Sequence, residues 1–166
     1  MSTAEDSVVV MARGAMPALG SKVQVVEVEI DLATISAELV ADGSGVLATA
    51  DIVEVLSLTQ GAVVIMAGIE ITETVVGSTA LEVGLGVTGG DVDQFVTNVD
   101  IGSSTSYVLT DYLVTNPTGG AWVVGDGAAG ATTDSIDILF GTVTGTVTAG
   151  KLRVFAVVVD AADLAG

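Results

Sequence analysis

Apolar and polar residues alternate along several short stretches of this chain, with the period of two that marks a β-strand with one buried face. In residues 26–30 valine and isoleucine alternate with glutamate, and residues 81–87 carry a large apolar side chain at every second position. Asp31 follows the first stretch and is a good helix N-cap, which predicts a short helix through Ala37. These patterns predict strands and one short helix.

Further strands are predicted where β-branched residues cluster between turn signals. In residues 51–58 both parities are mostly apolar, which predicts a strand buried between layers or facing a partner subunit. In residues 62–73 the odd positions from Val63 to Ile71 form one apolar face, and Gly68 on the opposite face predicts a bulge or a close backbone contact. The other predicted strands are 108–114, 121–124, 135–140 and 151–160, and a flexible hairpin is predicted at 141–150.

About eight short strands with turn signals between them predict an all-β fold, a jelly-roll-like antiparallel β-sandwich. Residues 1–20 contain glycine and proline but no clear periodicity, so we expect an extended N-terminal arm. Residues 21–166 have the length of one ordinary domain, and we expect them to form a single β-sandwich.

The last predicted strand has two different faces. Leu152, Val154, Ala156 and Val158 are expected to point into the core, whereas the opposite face is partly basic and partly aromatic. Such a face suits contact with a protein better than contact with solvent. We therefore predict an interface made of the arm and this face, comprising Val8, Val9, Val10, Met11, Leu19, Arg153, Phe155, Val157 and Val159.

Charge and composition narrow the range of functions. Twenty-one acidic residues against four basic ones give a formal net charge of -17, which repels nucleic-acid phosphates and anionic membrane surfaces. The chain has no histidine and no cysteine, so a Ser-His-Asp triad, a Cys-His pair and a typical zinc site are impossible. No apolar run approaches the length of a membrane-spanning helix. We expect no catalysis, no cofactor, no nucleic-acid partner and no membrane insertion.

Three short features could bind a ligand, but each has a simpler interpretation. Residues 88–93 place Asp91 and Asp93 beside glycines, as oxygen-ligand calcium loops do, yet without EF-hand spacing they read as an acidic surface turn. Residues 84–89 match G-x-G-x-x-G, but no helix is predicted after them, as a dinucleotide site requires. Trp122, the single tryptophan, is more typical of a core or interface anchor than of a ligand pocket.

The central segment 51–73 reads D-I-V-E-V-L-S-L-T-Q-G-A-V-V-I-M-A-G-I-E-I-T-E. Together with the small-residue strand 81–87, the loop G-G-D-V-D-Q-F at 89–95 and the valine-rich strand 152–159, it resembles the capsid decoration (cement) proteins of tailed phages. The resemblance implies a jelly-roll β-sandwich that forms a homotrimer at local three-fold axes of the shell. It also implies that the chain clamps neighbouring subunits of the major capsid protein on the outer capsid surface of the virion, and that it has no catalytic residues.

Three classes of function stay open at this point. A cement protein would act through binding energy alone and would form a stable trimer without calcium, which is also a way to cover strands that look apolar on both faces. A calcium- or glycan-binding adhesion module of a fibre or surface layer would instead show calcium-dependent stability through Asp91 and Asp93. An enzyme is the third class, and no motif of the sequence points to a particular reaction.

Overall fold

The computed structural model describes residues 23–59, 62–87, 95–102, 122–123 and 133–160. The predicted arm, the predicted strand at 108–114 and the calcium candidates Asp91 and Asp93 lie outside these residues. All strand pairs in the described part are antiparallel, which confirms the predicted all-β fold. The elements are β1 (Val23–Asp31), α1 (Leu32–Ala41), β2 (Ile52–Thr59), β3 (Ala62–Val87), β4 (Val96–Asp100), β5 (Trp122–Val123) and β6 (Thr133–Asp160).

Two long strands, β3 with 26 residues and β6 with 28, form the middle of the sheet. They pair from one end, where Ala62 lies opposite Asp160, to the other, where Val87 lies opposite Ile136. β1 pairs with the C-terminal part of β6 and β5 with the start of β3, which gives the first half of the sheet. β2 pairs with the N-terminal part of β6 and β4 with the end of β3, which gives the second half.

The two halves meet at a corner, where the register between β3 and β6 shifts repeatedly between Ile71 and Ala80. Gly77 at this corner has a φ of 92°, and a Cβ atom on it would lie 2.1 Å from the carbonyl oxygen of Thr146, so only glycine fits. Bulges bend strands and allow them to pass from one layer to the next. Because the inward residues of both halves belong to one hydrophobic core, we infer that the corner turns the two inner faces towards each other.

The core is built from the alternating positions that the sequence predicts. On β6, Leu152, Val154 and Ala156 are fully buried in the first half, and Val158 is partly buried against the same core. In the second half the predicted apolar face of β3 is at most 1% exposed, and its counterpart on β6 is fully buried. These second-half residues are Leu81, Val83, Leu85, Val87, Ile136, Ile138 and Phe140.

The single described helix, α1, begins where the sequence predicts and ends later. The Oδ1 atom of Asp31 accepts hydrogen bonds from the backbone N–H groups of Ala33 and Thr34 at 2.9 and 3.1 Å. These bonds satisfy two of the free N–H groups at the helix start, which confirms Asp31 as the N-cap. The helix continues past Ala37 to Ala41 because its leucines and isoleucine pack into the core.

A β-bulge accounts for the apolar residues on both parities of β2. The register with β6 shifts between Glu54 and Leu56, so Val55 is an additional residue in the strand. Val55 is 1% exposed and Leu56 is 2% exposed, whereas Ser57 is exposed. Before the extra residue the odd-numbered side chains point into the core, and after it the even-numbered ones do, so apolar residues at both kinds of position lie in the same core. The prediction of a strand with two apolar faces, buried between layers or facing a partner, is therefore wrong.

A second bulge, in β3, changes which residues of 62–73 point into the core. The register of β3 with β6 shifts between Val64 and Met66, so the inward positions run through Val64 and then Ala67. Val63 is only half-buried and Ile65 is 48% exposed. The predicted continuous apolar face from Val63 to Ile71 is therefore wrong for its first two members, since the extra residue turns them out of the core.

The predicted flexible hairpin at residues 141–150 is part of strand β6. Its alternating threonines and valines favour extended backbone, and β3 supplies the pairing partner that a local pattern cannot show. The predicted strands 62–73 and 81–87 likewise form one strand, as do 135–140 and 151–160, and β4 was not predicted. The six described strands therefore confirm an antiparallel all-β architecture, while the jelly-roll strand order stays a prediction.

The bulge in β2 predicts that two adjacent side chains both stabilise the core. Leu56→Ala is expected to lower the free energy of unfolding by about 2–5 kcal/mol and Val55→Ala by about 1–3 kcal/mol, because each leaves a cavity. Ser57→Ala, at the next and exposed position, should change it by less than about 0.5 kcal/mol. Urea unfolding followed by circular dichroism measures all three. If either Val55→Ala or Leu56→Ala matches Ser57→Ala, the bulge does not bury that side chain.

Candidate interface on the outer face of the first half

The first half of the sheet has a surface that points away from the core, which we name the outer face. It is centred on the residues of β6 that alternate with the buried ones, and these are half-buried except for Val159. The strand registers place residues of β1 on one side of them and residues of β3 on the other. The outer face consists of Val23, Val25, Glu27, Glu29, Lys151, Arg153, Phe155, Val157, Val159, Val63, Ile65, Met66, Gly68, Glu70 and Glu73.

Arg153 lies in the polar end of the outer face, directly opposite Glu70 on β3. Its Nε atom donates a hydrogen bond to Oε2 of Glu70 at 2.8 Å, and its Nη2 atom donates to the same oxygen. This bond raises the pKa of the Arg153 guanidinium, partial desolvation opposes the rise, and the charges of Glu70, Glu27 and Glu29 add to it. Arg153 is therefore a cation with a fixed partner in its own chain.

The second cation of the polar end, Lys151, also has a partner in its own chain. Its Nζ atom lies 3.6 Å from Oε2 of Glu73, and both side chains are exposed enough for solvent to screen the pair. Thr72 donates a hydrogen bond to Oε2 of Glu29 at 3.2 Å. Within the described residues Lys151 and Arg153 are the only basic side chains, so the glutamates of β1 share Arg153 with Glu70.

The other end of the outer face is apolar and open to solvent. Val25 lies opposite Val157, which in turn lies opposite Met66. Val25 is 49% exposed, Ile65 is 48% exposed and Val23 is 40% exposed. These three belong to the six large hydrophobic residues that are exposed in the described part of the chain. The other three are Val40 on α1, Val46 between α1 and β2, and Val76 at the corner of β3. A cluster of exposed apolar residues on neighbouring strands is typical of a contact surface.

Phe155 lies between the two ends of the outer face, opposite Gly68 on β3. A Cβ atom on Gly68 would lie 2.7 Å from Cζ of Phe155, so the ring occupies the space that a side chain at position 68 would need. An aromatic ring that covers a cross-strand glycine protects that stretch of backbone from water. The predicted close contact at Gly68 is therefore present, and it positions Phe155 flat on the sheet.

The outer face of the second half has a different character. Gly84 and Gly86 replace the large residues on β3, and Asp137 on β6 is 2% exposed and accepts a hydrogen bond from the Ser135 hydroxyl at 2.6 Å. Glu82 accepts a hydrogen bond from the Thr142 hydroxyl at 2.7 Å. Gly84, Gly86 and Asp137 are all buried, and none of the large exposed hydrophobic residues lies on this side of the second half.

The structure places the predicted interface residues unevenly. Arg153, Phe155 and Val157 lie together on the outer face and are half-buried, whereas Val159 is 6% exposed and offers little surface. Val25 and Ile65 were not among the predicted interface residues. Alternation within β1 could have identified Val25, but the exposure of Ile65 depends on the bulge in β3. The predicted arm residues Val8, Val9, Val10, Met11 and Leu19 lie outside the described residues.

The described part of the chain has neither a metal-binding group of side chains nor a helix that could cross a membrane. Its acidic side chains form no group of three or more that could hold a metal ion. None of the helical segments described is long and apolar enough to cross a bilayer. The candidate functional site is the outer face of the first half, because large apolar residues are exposed there on neighbouring strands.

The Phe155–Gly68 contact predicts that Gly68→Ala destabilises the wild-type protein but stabilises a protein that lacks the Phe155 ring. Gly68→Ala is expected to lower the free energy of unfolding by about 1–3 kcal/mol, because the new methyl group displaces the ring. In a Phe155→Ala background the same substitution should raise it by about 0.5–1 kcal/mol, since alanine is favoured over glycine in a strand. Urea unfolding of the four proteins gives the coupling. Equal effects of Gly68→Ala in both backgrounds would show that the ring does not cover Gly68.

Comparison with known proteins places this fold among chains of phage capsids. No protein-family model and no curated protein sequence matches the chain. The solved structure of the capsid of Ralstonia phage GP4 contains a chain with 14% sequence identity and a TM-score of 0.59, aligned over 88% of this chain and 89% of that chain. A chain of the cyanophage Pam1 capsid asymmetric unit has 18% identity and a TM-score of 0.54, aligned over 89% of this chain and 93% of that chain. Because the aligned shares are nearly equal, the matched chains are close to this one in length, and the likeness is one of whole fold.

Proposed function

We propose that this chain is a structural protein of a phage virion, and specifically a decoration (cement) protein on the outer surface of the capsid. In this role it forms a homotrimer and clamps neighbouring subunits of the major capsid protein. The observation that carries the proposal is the likeness of the whole fold to chains of two phage capsid structures, at nearly equal chain length. The sequence resemblance to cement proteins supports the same conclusion from other residues.

The chemistry of the chain supports a role in binding and not in catalysis. The sequence has no histidine and no cysteine, which removes the usual general base and the usual nucleophile–base pairs. The described surface offers instead an apolar cluster beside a row of charged residues on a continuous antiparallel sheet. Such a surface stabilises an assembly by binding its assembled state more tightly than its separated subunits.

Repetition on the shell makes modest contacts sufficient. A shell presents many equivalent sites, and a trimer engages up to three of them at once, so the effective affinity exceeds that of one contact. Two surfaces are candidates for these contacts, the arm at residues 1–20 and the outer face with Arg153, Phe155 and Val157. In this proposal residues 21–166 form one domain, which presents the outer face and follows the arm.

The proposal predicts the mass of the purified chain in solution. Light scattering at micromolar concentration is expected to give three times the chain mass of 16.4 kDa, both with and without calcium. The trimer should persist in chelator because apolar contact, and not a metal ion, holds it together. A monomer in both conditions contradicts the trimer. A monomer that changes state only with calcium favours the adhesion module and directs mutagenesis to Asp91 and Asp93.

The proposal also predicts that this chain raises the temperature at which capsid shells rupture. Shells assembled from the cognate major capsid protein without this chain should bind it to saturation, and their rupture temperature should rise with occupancy. Differential scanning fluorimetry of shells, followed by electron microscopy, measures the shift. An unrelated acidic β-protein at the same concentration is the control. Saturable binding without a rise in rupture temperature would leave a capsid component that does not act as cement.

A further inference from the structure

The outer face of the first half carries more negative charge than the basic side chains of the described residues can match. Glu70 is paired with Arg153 and Glu73 with Lys151, as described above. Glu27 and Glu29 on β1 lie near the same Arg153 that Glu70 already binds, so three glutamates share one cation and negative charge is in surplus. Glu29 is exposed and Glu27 is half-buried, so both can interact with a partner that covers the face.

The surplus charge and the apolar end belong to one strand. Val23, Val25, Glu27 and Glu29 alternate along β1 on the same side of the sheet, since each lies opposite an outer residue of β6. A partner that covers the exposed valines therefore also reaches the two glutamates. Interfaces with an apolar centre and a charged rim have this layout, in which the rim sets orientation and association rate.

A second copy of this chain fits the outer face poorly. The chain has four basic residues and a formal net charge of -17. In the described part, Lys151 and Arg153 are the only cations, and both lie on this same face and are engaged by their own glutamates. A copy docked here would bring further acidic groups towards Glu27 and Glu29, and like charges across an interface are unfavourable.

We propose that the outer face of the first half is the surface that binds the shell, and that its partner is a capsid-protein surface with an apolar patch flanked by lysine or arginine side chains. This inference rests on the proposed function. Val25, Ile65 and Val157 lose water against the patch, and Glu27 and Glu29 pair with the flanking cations. The contacts between copies in the trimer then lie on other surfaces.

The charge part of the inference is tested by binding to shells assembled without this chain. Glu27→Gln with Glu29→Gln should weaken co-sedimentation with shells about tenfold at low salt, because each loses an interfacial pair. At about 0.5 M NaCl the variant and the wild-type chain should bind alike, because salt screens the pairs. Glu54→Gln with Glu82→Gln is the matched control, with the same charge change in the second half, and should bind like the wild-type chain.

The apolar part is tested in the same assay. Val25→Asp should reduce binding more than tenfold at any salt concentration, while Val46→Asp, at another exposed valine, should not. Light scattering must show that Val25→Asp keeps the oligomeric state of the wild-type chain. A change of that state would overturn the inference, because the face would then join copies of this chain.

The remaining outcomes separate the inference from the proposed function. If the wild-type chain binds shells and the outer-face variants bind equally well, the inference fails and the cement proposal stands. If the wild-type chain does not bind shells, both fail.

Arg13→Gln with Lys22→Gln tests whether the matching cations come from the N-terminal segment of another copy. Loss of the salt-dependent binding in this variant would overturn the assignment to a capsid-protein surface.

Discussion

The antiparallel pairing of β3 with β6 is the interaction on which the rest of the structure depends. Every other described strand adds to an edge of this pair, two in each half of the sheet. The pair also carries the corner at Gly77, where the shifts of register turn the inner faces towards one core. Because the two strands lie far apart in sequence, their pairing closes a long loop before it gains contacts, and such non-local pairing is typical of slowly folding sheets.

Two bulges determine which apolar side chains are buried in the core. One bulge buries an additional apolar side chain, and the other exposes one. At Val55 the extra residue brings both parities of β2 into the core, so a strand that looks apolar on two sides needs no partner. Near Ile65 the extra residue turns an apolar side chain out to solvent, across β6 from Val25. The first bulge weakens the argument for self-association from β2, and the second creates much of the exposed apolar cluster. The exposed apolar residues therefore mark the outer face of the first half, and not β2, as the contact surface.

The outer face joins two kinds of interaction that serve binding in different ways. The valines near Val25 gain free energy when a partner removes them from water, and this gain does not depend on salt. Glu27 and Glu29 add a salt-dependent contribution that selects partners with basic surfaces. Phe155 lies between them with its ring over Gly68, so the position of this side chain is set by contacts within the chain. A repeated shell suits such a surface, since many modest contacts act together.

Local residue patterns were enough to predict the all-β class, the helix that Asp31 caps, and the inward faces of residues 81–87 and 135–140. They also identified Arg153 and Phe155 as neighbours on a face unlike a solvent face. Three features follow instead from pairing with distant strands. Residues 141–150 continue a strand, Ile65 faces solvent, and Val55 does not. The physical reason is that alternation is a local signal with a period of two, whereas register is set by a distant partner strand. A single extra residue opposite that partner reverses every later position, and nothing within the strand itself records it.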